Sequence, residues 1–435
     1  MHISDSKYSL AIVWLAIAAS SIVFIEPALT DLLSILALGL FFVLGMRIPP
    51  GFGVAGFFLG LYLVANVLAS AFTPDPTVSF RSVGVRFFIA SSCLLFVCLI
   101  YENPKRVTAV LWNAYVVAGL IAIFAGIAGY YGLSSATEQF VEYGRARAMF
   151  KDPNVYGPFI VPVAIYALAK LETANRRQIV GYSALLAIAC FGLLLGFSRG
   201  SWINFVIAMT LFFVIRIRTQ RSPEKRQRIV GTLLLLIIGG SVFIAGIAST
   251  EKIQTMLDQR LKIVQYYDTG EHGRLTRQLE IVKSITVTPL GIGAGQSEEG
   301  SFFQGAPHNV YLHVLIESGW IGGFSFIAFI LLTVWKGARY FQHAPDIDAV
   351  NIAAYACVIG ILTQSFFIDS THWRHLFLLF AMVWGPMLAW ESQTNILREK
   401  WRAQRQHIIV RQNYERARNQ ARHAASWPKK VSPTS

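Results

Sequence analysis

Long apolar runs recur along the chain, each closed by polar or turn-forming residues. About twenty apolar residues carry a helix across a bilayer. The pattern predicts twelve such segments, at 8–25, 29–46, 51–72, 84–101, 107–131, 154–171, 178–196, 200–217, 228–249, 320–336, 350–368 and 374–391. None shows the weak ten-residue alternation of an outer-membrane barrel. The expected fold is therefore an all-α integral membrane protein with about 12 transmembrane helices. The first run lacks a small-residue cleavage site and a clean basic leader, so it reads as a retained helix. One polytopic membrane domain, 1–394, is followed by a basic tail, 395–435. Composition agrees: 54% of residues are hydrophobic and 14% charged, against roughly 25% charged in soluble domains.

Charge then orients the segments, because Lys and Arg accumulate in short cytoplasmic loops. One set of alternate loops holds Arg47, Lys105, Arg106, Lys170, Arg176, Arg177, the run RIRTQRSPEKRQR from Arg216 to Arg228, Lys336 and Arg339. The tail adds Arg398, Lys400, Arg402, Arg405, Arg411, Arg416, Arg418, Arg422, Lys429 and Lys430 against Glu399 and Glu415. Both termini are expected in the cytoplasm. The formal charge of +14 then gathers on a face that anionic phospholipid attracts, and no nucleic-acid partner is implied. Cys93, Cys98, Cys190 and Cys357 all fall inside predicted spans without metal spacing, and no disulfide is expected.

Two loops on the other side are long. The smaller, Gly132 to Pro153, carries Arg145, Arg147 and Lys151. The larger occupies 250–307, between the ninth and tenth spans. Ile253, Met256, Leu257, Leu261, Ile263 and Val264 approximate a helical face, broken by Asp268, Gly270 and Gly273; a second helical pattern opens at Arg274 and ends before Pro289. Long ordered loops are usually functional, so chemistry is expected here.

Four stretches carry a family resemblance. His308-Asn309, nine residues, then Gly319-Trp320-Ile321-Gly322 fits H-N-x9-G-x-x-G; FSRGSW spans Phe197 to Trp202; HGRLTRQLEIVKSITVTPLGIGAGQ spans His272 to Gln296; KDPNVYGPFIVP spans Lys151 to Pro162. Taken in chain order, 151–162, 197–202, 272–296 and 308–322, they resemble the O-antigen ligase and polymerase family of bacterial polytopic membrane glycosyltransferases. The resemblance covers about 150 to 335 and implies a GT-C-like fold with the long loop in the periplasm. It implies transfer of an oligo- or polysaccharide from a polyprenyl-pyrophosphate donor to a sugar hydroxyl on lipid A core or another glycan, at the periplasmic face of the inner membrane. The four stretches do not separate a ligase from a polymerase.

Such a reaction asks for a base to deprotonate the acceptor hydroxyl and for cations to stabilise the departing pyrophosphate. His308 is the candidate base, since a neutral imidazole accepts a proton near neutral pH; a tolerated interfacial position is the alternative. His313 lies five residues on, about 140° around a helix, and reads as structural. Arg199, Arg274 and Arg277 are the candidate pyrophosphate ligands, because arginine at a span edge is costly unless it meets an anion or water; snorkelling to headgroups is the alternative for Arg199. Arg145, Arg147, Asp152, Asn154, Asn309 and Tyr311 are possible donor or acceptor contacts, with helix capping an open reading for Asp152, Asn154 and Asn309. Asp346-x-Asp348 in PDIDAV mimics a metal motif but precedes a cytoplasmic-side helix, where Asp is ordinary. No cofactor and no metal are implied. A secondary transporter, a competing class, should show paired halves and charges deep in its spans. A non-catalytic partner in envelope assembly would have no need of His308.

Overall fold

A computed structural model describes residues 7–25, 27–43, 45–73, 75–248, 254–257, 273–297, 307–344 and 347–425. Most of the large loop 250–307, including Ile253, Leu261, Ile263, Val264, Asp268, Gly270 and His272, lies outside these, as does Asp346. The described helices are α1 (Lys7–Ala18), α2 (Leu29–Val43), α3 (Gly53–Ser70), α4 (Pro76–Glu102), α5 (Pro104–Tyr130), α6 (Pro153–Leu171), α7 (Arg176–Leu195), α8 (Arg199–Thr219), α9 (Pro223–Ala248), α10 (Arg274–Val287), α11 (Val310–His343), α12 (Ala349–Gln364) and α13 (Arg374–Ala425).

The chain is an all-α membrane protein. Among the described residues seven helices, α3 to α8 and α11, are long and apolar enough to cross a bilayer, and α1, α2 and α12 are shorter apolar helices. The apolar runs expected at 228–249 and 374–391 lie on α9 and α13. Helix starts follow local chemistry. Proline, which lacks the N–H that a first turn leaves unpaired, opens α4, α5, α6 and α9. Asp75, Asn103, Asp152, Asn175, Asn309 and Asp348 each cap a helix by accepting from its first-turn amides.

Neighbouring helix ends fix which side is which. At one end Arg216 of α8 pairs with Glu172, just beyond α6, and donates to the Ile347 carbonyl before α12, 3.3 Å away. Lys336 of α11 pairs with Glu391 of α13 at 2.8 Å. At the opposite end α8 begins and α12 finishes: Asn204 Nδ2 donates to Gln364 Oε1 at 2.9 Å. Helix α13 runs 52 residues without a break at 394, and from Asn395 to Ala417 its described side chains are exposed.

The span expected at 320–336 is one half of a longer, broken element. α11 begins at Val310, and Gly319, with φ 67° and ψ −173°, interrupts it. Only glycine visits that backbone region readily. The turn Pro289–Gly295 fits the gap: Ile292 N donates to Ile316 O (2.9 Å), Gly293 N to Glu317 O (3.0 Å), and Trp320 N to Pro289 O (2.9 Å). The amides of the turn thus satisfy carbonyls that the break leaves open. A Cβ on Gly319 would run into the backbone of 289–291. Ile281 and Ile285 of α10 pack with Ile292, Leu312 and Ile316, holding α10 against the first segment of α11.

Candidate functional site

Three of the four sequence stretches meet around the end of α12, and the fourth, 151–162, joins through Asn154 to Ser198. Gln364 reaches Asn204 and lies against Gly200, where a Cβ would stand 3.1 Å from its Nε2. Ser365 O accepts from Val310 N at 2.9 Å. Phe366 O accepts from Gln278 Nε2 of α10 at 3.5 Å. Arg199 opens α8, Arg277 precedes Gln278, and His308 stands two residues before Val310. Residues more than a hundred positions apart in sequence are therefore mounted on one three-residue segment at one end of the bundle.

Arg199, Arg277 and His308 are half-buried there. Arg274 is the first residue of α10, and its side chain lies outside the described residues. Backbone strain marks both approaches. His308 has φ 49° and Phe197, two residues before Arg199, has φ 41°. Non-glycine residues hold this left-handed conformation only where their surroundings over-determine it, and such positions cluster at functional sites.

What fixes the turn before Arg199 is visible. The loop between α5 and α6 folds into a hairpin pairing Val141–Glu142 with Arg145–Ala146. Tyr143 and Gly144, both at positive φ, form its two-residue turn. Arg145 is buried and donates through Nε to Gly196 O (2.9 Å) and through Nη2 to Asn154 Oδ1 (2.8 Å). The same Asn154 oxygen accepts from Ser198 Oγ at 3.0 Å. Arg145 and Asn154 thus hold the turn that presents Arg199. Arg147 is engaged with Gln139 O, Lys151 O and the Glu142 carboxylate of its own loop and with the ring of Phe24 in the α1–α2 connection. Asp152 caps α6 through Asn154 N at 2.7 Å.

On the other approach, Asn309 Oδ1 accepts from Tyr311 N (3.0 Å) and Leu312 N (3.2 Å). Tyr311 donates its hydroxyl to Leu362 O at 2.8 Å and packs on Phe366. Asn309 and Tyr311 therefore anchor the start of α11. Asp348, the described half of Asp-x-Asp, caps α12 through Val350 N.

Below this end lies a cluster that the sequence reading did not anticipate. His313 Nε2 is 2.8 Å from Glu317, and its Nδ1 is 3.1 Å from Asp369, off the line of a hydrogen bond. Glu317 also pairs with Arg86 of α4 and accepts from Ser297 N (3.1 Å) and Ser297 Oγ (2.5 Å). Arg86 in turn donates to Asn66 of α3. His313 and Glu317 are fully buried and Arg86 nearly so; Asp369, on the loop after α12, is 13% exposed. Burial alone would raise the Asp369 carboxyl, but adjacent His313, with help from His372, outweighs it and holds the group well below the usual carboxylate range. Two signals were legible: an arginine inside an apolar run, a functional hypothesis by default, and a His-x3-Glu spacing that puts both side chains on one helix face. The third partner, Asp369, carries no local signal. Charges inside spans were the expected mark of a transporter; here Arg86, His313 and Glu317 meet Asp369 of the following loop in one cluster.

Comparison with protein families bears on this arrangement directly. Residues 184–327 match the O-antigen ligase family. The matched region runs from α7 through the break in α11, so it includes Arg199, Arg274, Arg277, His308 and Glu317. Arg86, Arg145, Asn154, Gln364 and Asp369 lie outside it, and the site at this end of the bundle needs both parts of the chain. The O-antigen ligase family is one of membrane glycosyltransferases, which work with lipid-linked glycan donors and glycan acceptors. The chain matches none of the curated proteins with which it was compared.

Proposed function

We propose that this chain moves an oligo- or polysaccharide from polyprenyl pyrophosphate to a sugar hydroxyl at the outer face of a bacterial inner membrane, as an O-antigen ligase. The observation that carries the reading is the convergence of Arg199, α10 with Arg277, and His308 on residues 364–366, inside and beside the O-antigen ligase match. These positions sit at the bundle end opposite Arg216, Lys336 and the basic loops, and charge asymmetry assigns the basic side to the cytoplasm.

In this reading His308 takes the proton from the acceptor hydroxyl, whose oxygen attacks the anomeric carbon of the donor. The bond from that carbon to the phosphate oxygen breaks, and its electron pair leaves with the pyrophosphate. Arg199, Arg274 and Arg277 stabilise the charge gathering there; a guanidinium fork holds two phosphate oxygens at once. The transfer draws its energy from the donor's pyrophosphate linkage and uses no nucleotide. Arg145 and Asn154 serve it by fixing the Phe197–Arg199 turn, and Asn309 by capping the helix that His308 leads.

The test is turnover of purified protein with a polyprenyl-pyrophosphate glycan and a glycan acceptor. Losing a general base costs roughly 10²–10⁴-fold, so His308→Ala should fall by that much while still inserting; activity within about tenfold of wild type removes His308 from the reaction. Gene deletion separates ligation from chain lengthening. Full-length polymer stranded on its carrier marks a ligase, whereas accumulated single repeats mark a polymerase.

A further inference from the structure

His308 sits at the head of a short piece of helix. Residues 310–318 make only nine residues before the Gly319 break, and helices shorter than about 12–15 residues are marginal by themselves. Its position therefore depends on what is bonded to it. At the top, Val310 N donates to Ser365 O and the Tyr311 hydroxyl to Leu362 O. At the bottom, Ile316 O and Glu317 O accept from the glycine turn. Between them the only charged side chains are His313 and Glu317, and both are buried in the ion cluster.

Each ring nitrogen of His313 lies against a carboxylate, Nε2 at 2.8 Å from Glu317 and Nδ1 at 3.1 Å from Asp369, and Nε2 also lies 3.3 Å from Arg86 Nη2. The two carboxylates face different ways. Glu317 is held by Arg86 of α4 and by Ser297 of the glycine turn. Asp369 belongs to the loop 365–373, which also supplies Ser365 to Val310; Asp369 Oδ1 accepts from Thr371 N at 2.9 Å, and His372 Nδ1 is 3.6 Å from Oδ2.

We propose that His313 is a positioning residue for His308: clamped between Glu317 and Asp369, it locks the short helix to the core on one side and to the outer loop on the other. The lock over-determines the left-handed backbone at His308. His313, about 7.5 Å farther along the helix axis, does not reach the same group. This inference rests on the functional reading only for its kinetic consequence, since the positioning itself has a separate readout.

The experiment uses the full chain in lipid nanodiscs, with His313→Gln and Asp369→Asn, and with Asp369→Glu as the conservative variant. Diethyl pyrocarbonate modification of His308 is followed by peptide mass spectrometry, with exposed His407 of α13 as the internal reference. Loosening the helix should raise the His308 rate relative to His407 in the first two variants and less in Asp369→Glu. Turnover should fall by roughly 10²-fold, the scale of a small misplacement at the reacting centre, with donor KM little changed. If His313→Gln fails to insert, Asp369→Asn on the loop after α12 carries the same test. An unchanged His308 rate in the variants that insert overturns the proposal, whatever happens to turnover. A raised rate with unchanged turnover upholds the lock and removes the base role of His308 instead.

Discussion

The buried charges invite a double-mutant cycle on Arg86 and Glu317. Glu317 receives Arg86, His313 and both donors of Ser297. Glu317→Gln leaves Arg86 and His313 facing a single anion, Asp369, so the cluster holds a net positive charge in a site closed to water. Arg86→Gln leaves His313 between two carboxylates, with a net negative charge. Removing one partner of a buried pair typically costs about 3–5 kcal/mol, because the survivor is left uncompensated. The double variant retains the balanced His313–Asp369 pair, and the two amides can hydrogen-bond to each other. It should therefore cost less than the sum of the singles by at least about 2 kcal/mol, near the upper part of the range for directly bonded residues. The assay is SDS-induced unfolding in mixed micelles, followed by tryptophan fluorescence, on all four proteins. Additivity to within about 0.5 kcal/mol, the behaviour of independent sites, would refute the reasoning.

The remaining predictions are these. Gly319→Ala should destabilise the protein by about 3 kcal/mol or more, through a strained backbone added to a collision with 289–291; a near-native unfolding midpoint would contradict the turn-in-gap packing. Arg199→Lys and Arg274→Lys should each keep weak donor binding yet lose most turnover, and the double should lose less than the sum because both act on one leaving group; near-normal turnover in both would favour headgroup snorkelling. The depressed Asp369 carboxyl contributes stability that is complete above its unfolded value of about 4 and disappears as pH falls toward the lower folded value. Asp369→Asn should accordingly be more damaging at pH 7 than at pH 3, measured by unfolding midpoint, and an equal loss at both would deny the carboxylate that role.

Much of the helix inventory could be read from apolar periodicity, because a membrane span must satisfy its own backbone and so shows as one long uninterrupted run. Where polarity and helicity part company the reading stopped short. The span expected from residue 320 starts one residue after the break, since the amphiphilic stretch 310–318 did not look like membrane. His308, Arg199 and Arg277 were reachable through motif spacing. Their grouping on Gln364–Phe366 was not, because no local pattern records which helix ends are neighbours. Arg145 and Asn154 looked like ligand contacts, for an exposed loop is the default surrounding of such residues; the hairpin buries Arg145, which bonds to half-buried Asn154 at the start of α6. The ion cluster joins residues 86, 297, 313, 317 and 369, and only the His313–Glu317 spacing is short enough to appear in the sequence.

The nine residues between Asn309 and Gly319 also act as an angular gauge. Each helical residue turns the chain by about 100° and advances it about 1.5 Å. Inserting or deleting one residue there, with the glycine turn still seated in the break, would swing His308 a quarter-turn or more around the axis and away from residues 364–366. Adding seven would nearly restore its bearing, but would carry it about 10 Å outward. The interval therefore encodes phase as well as reach, and no length other than the present one keeps both.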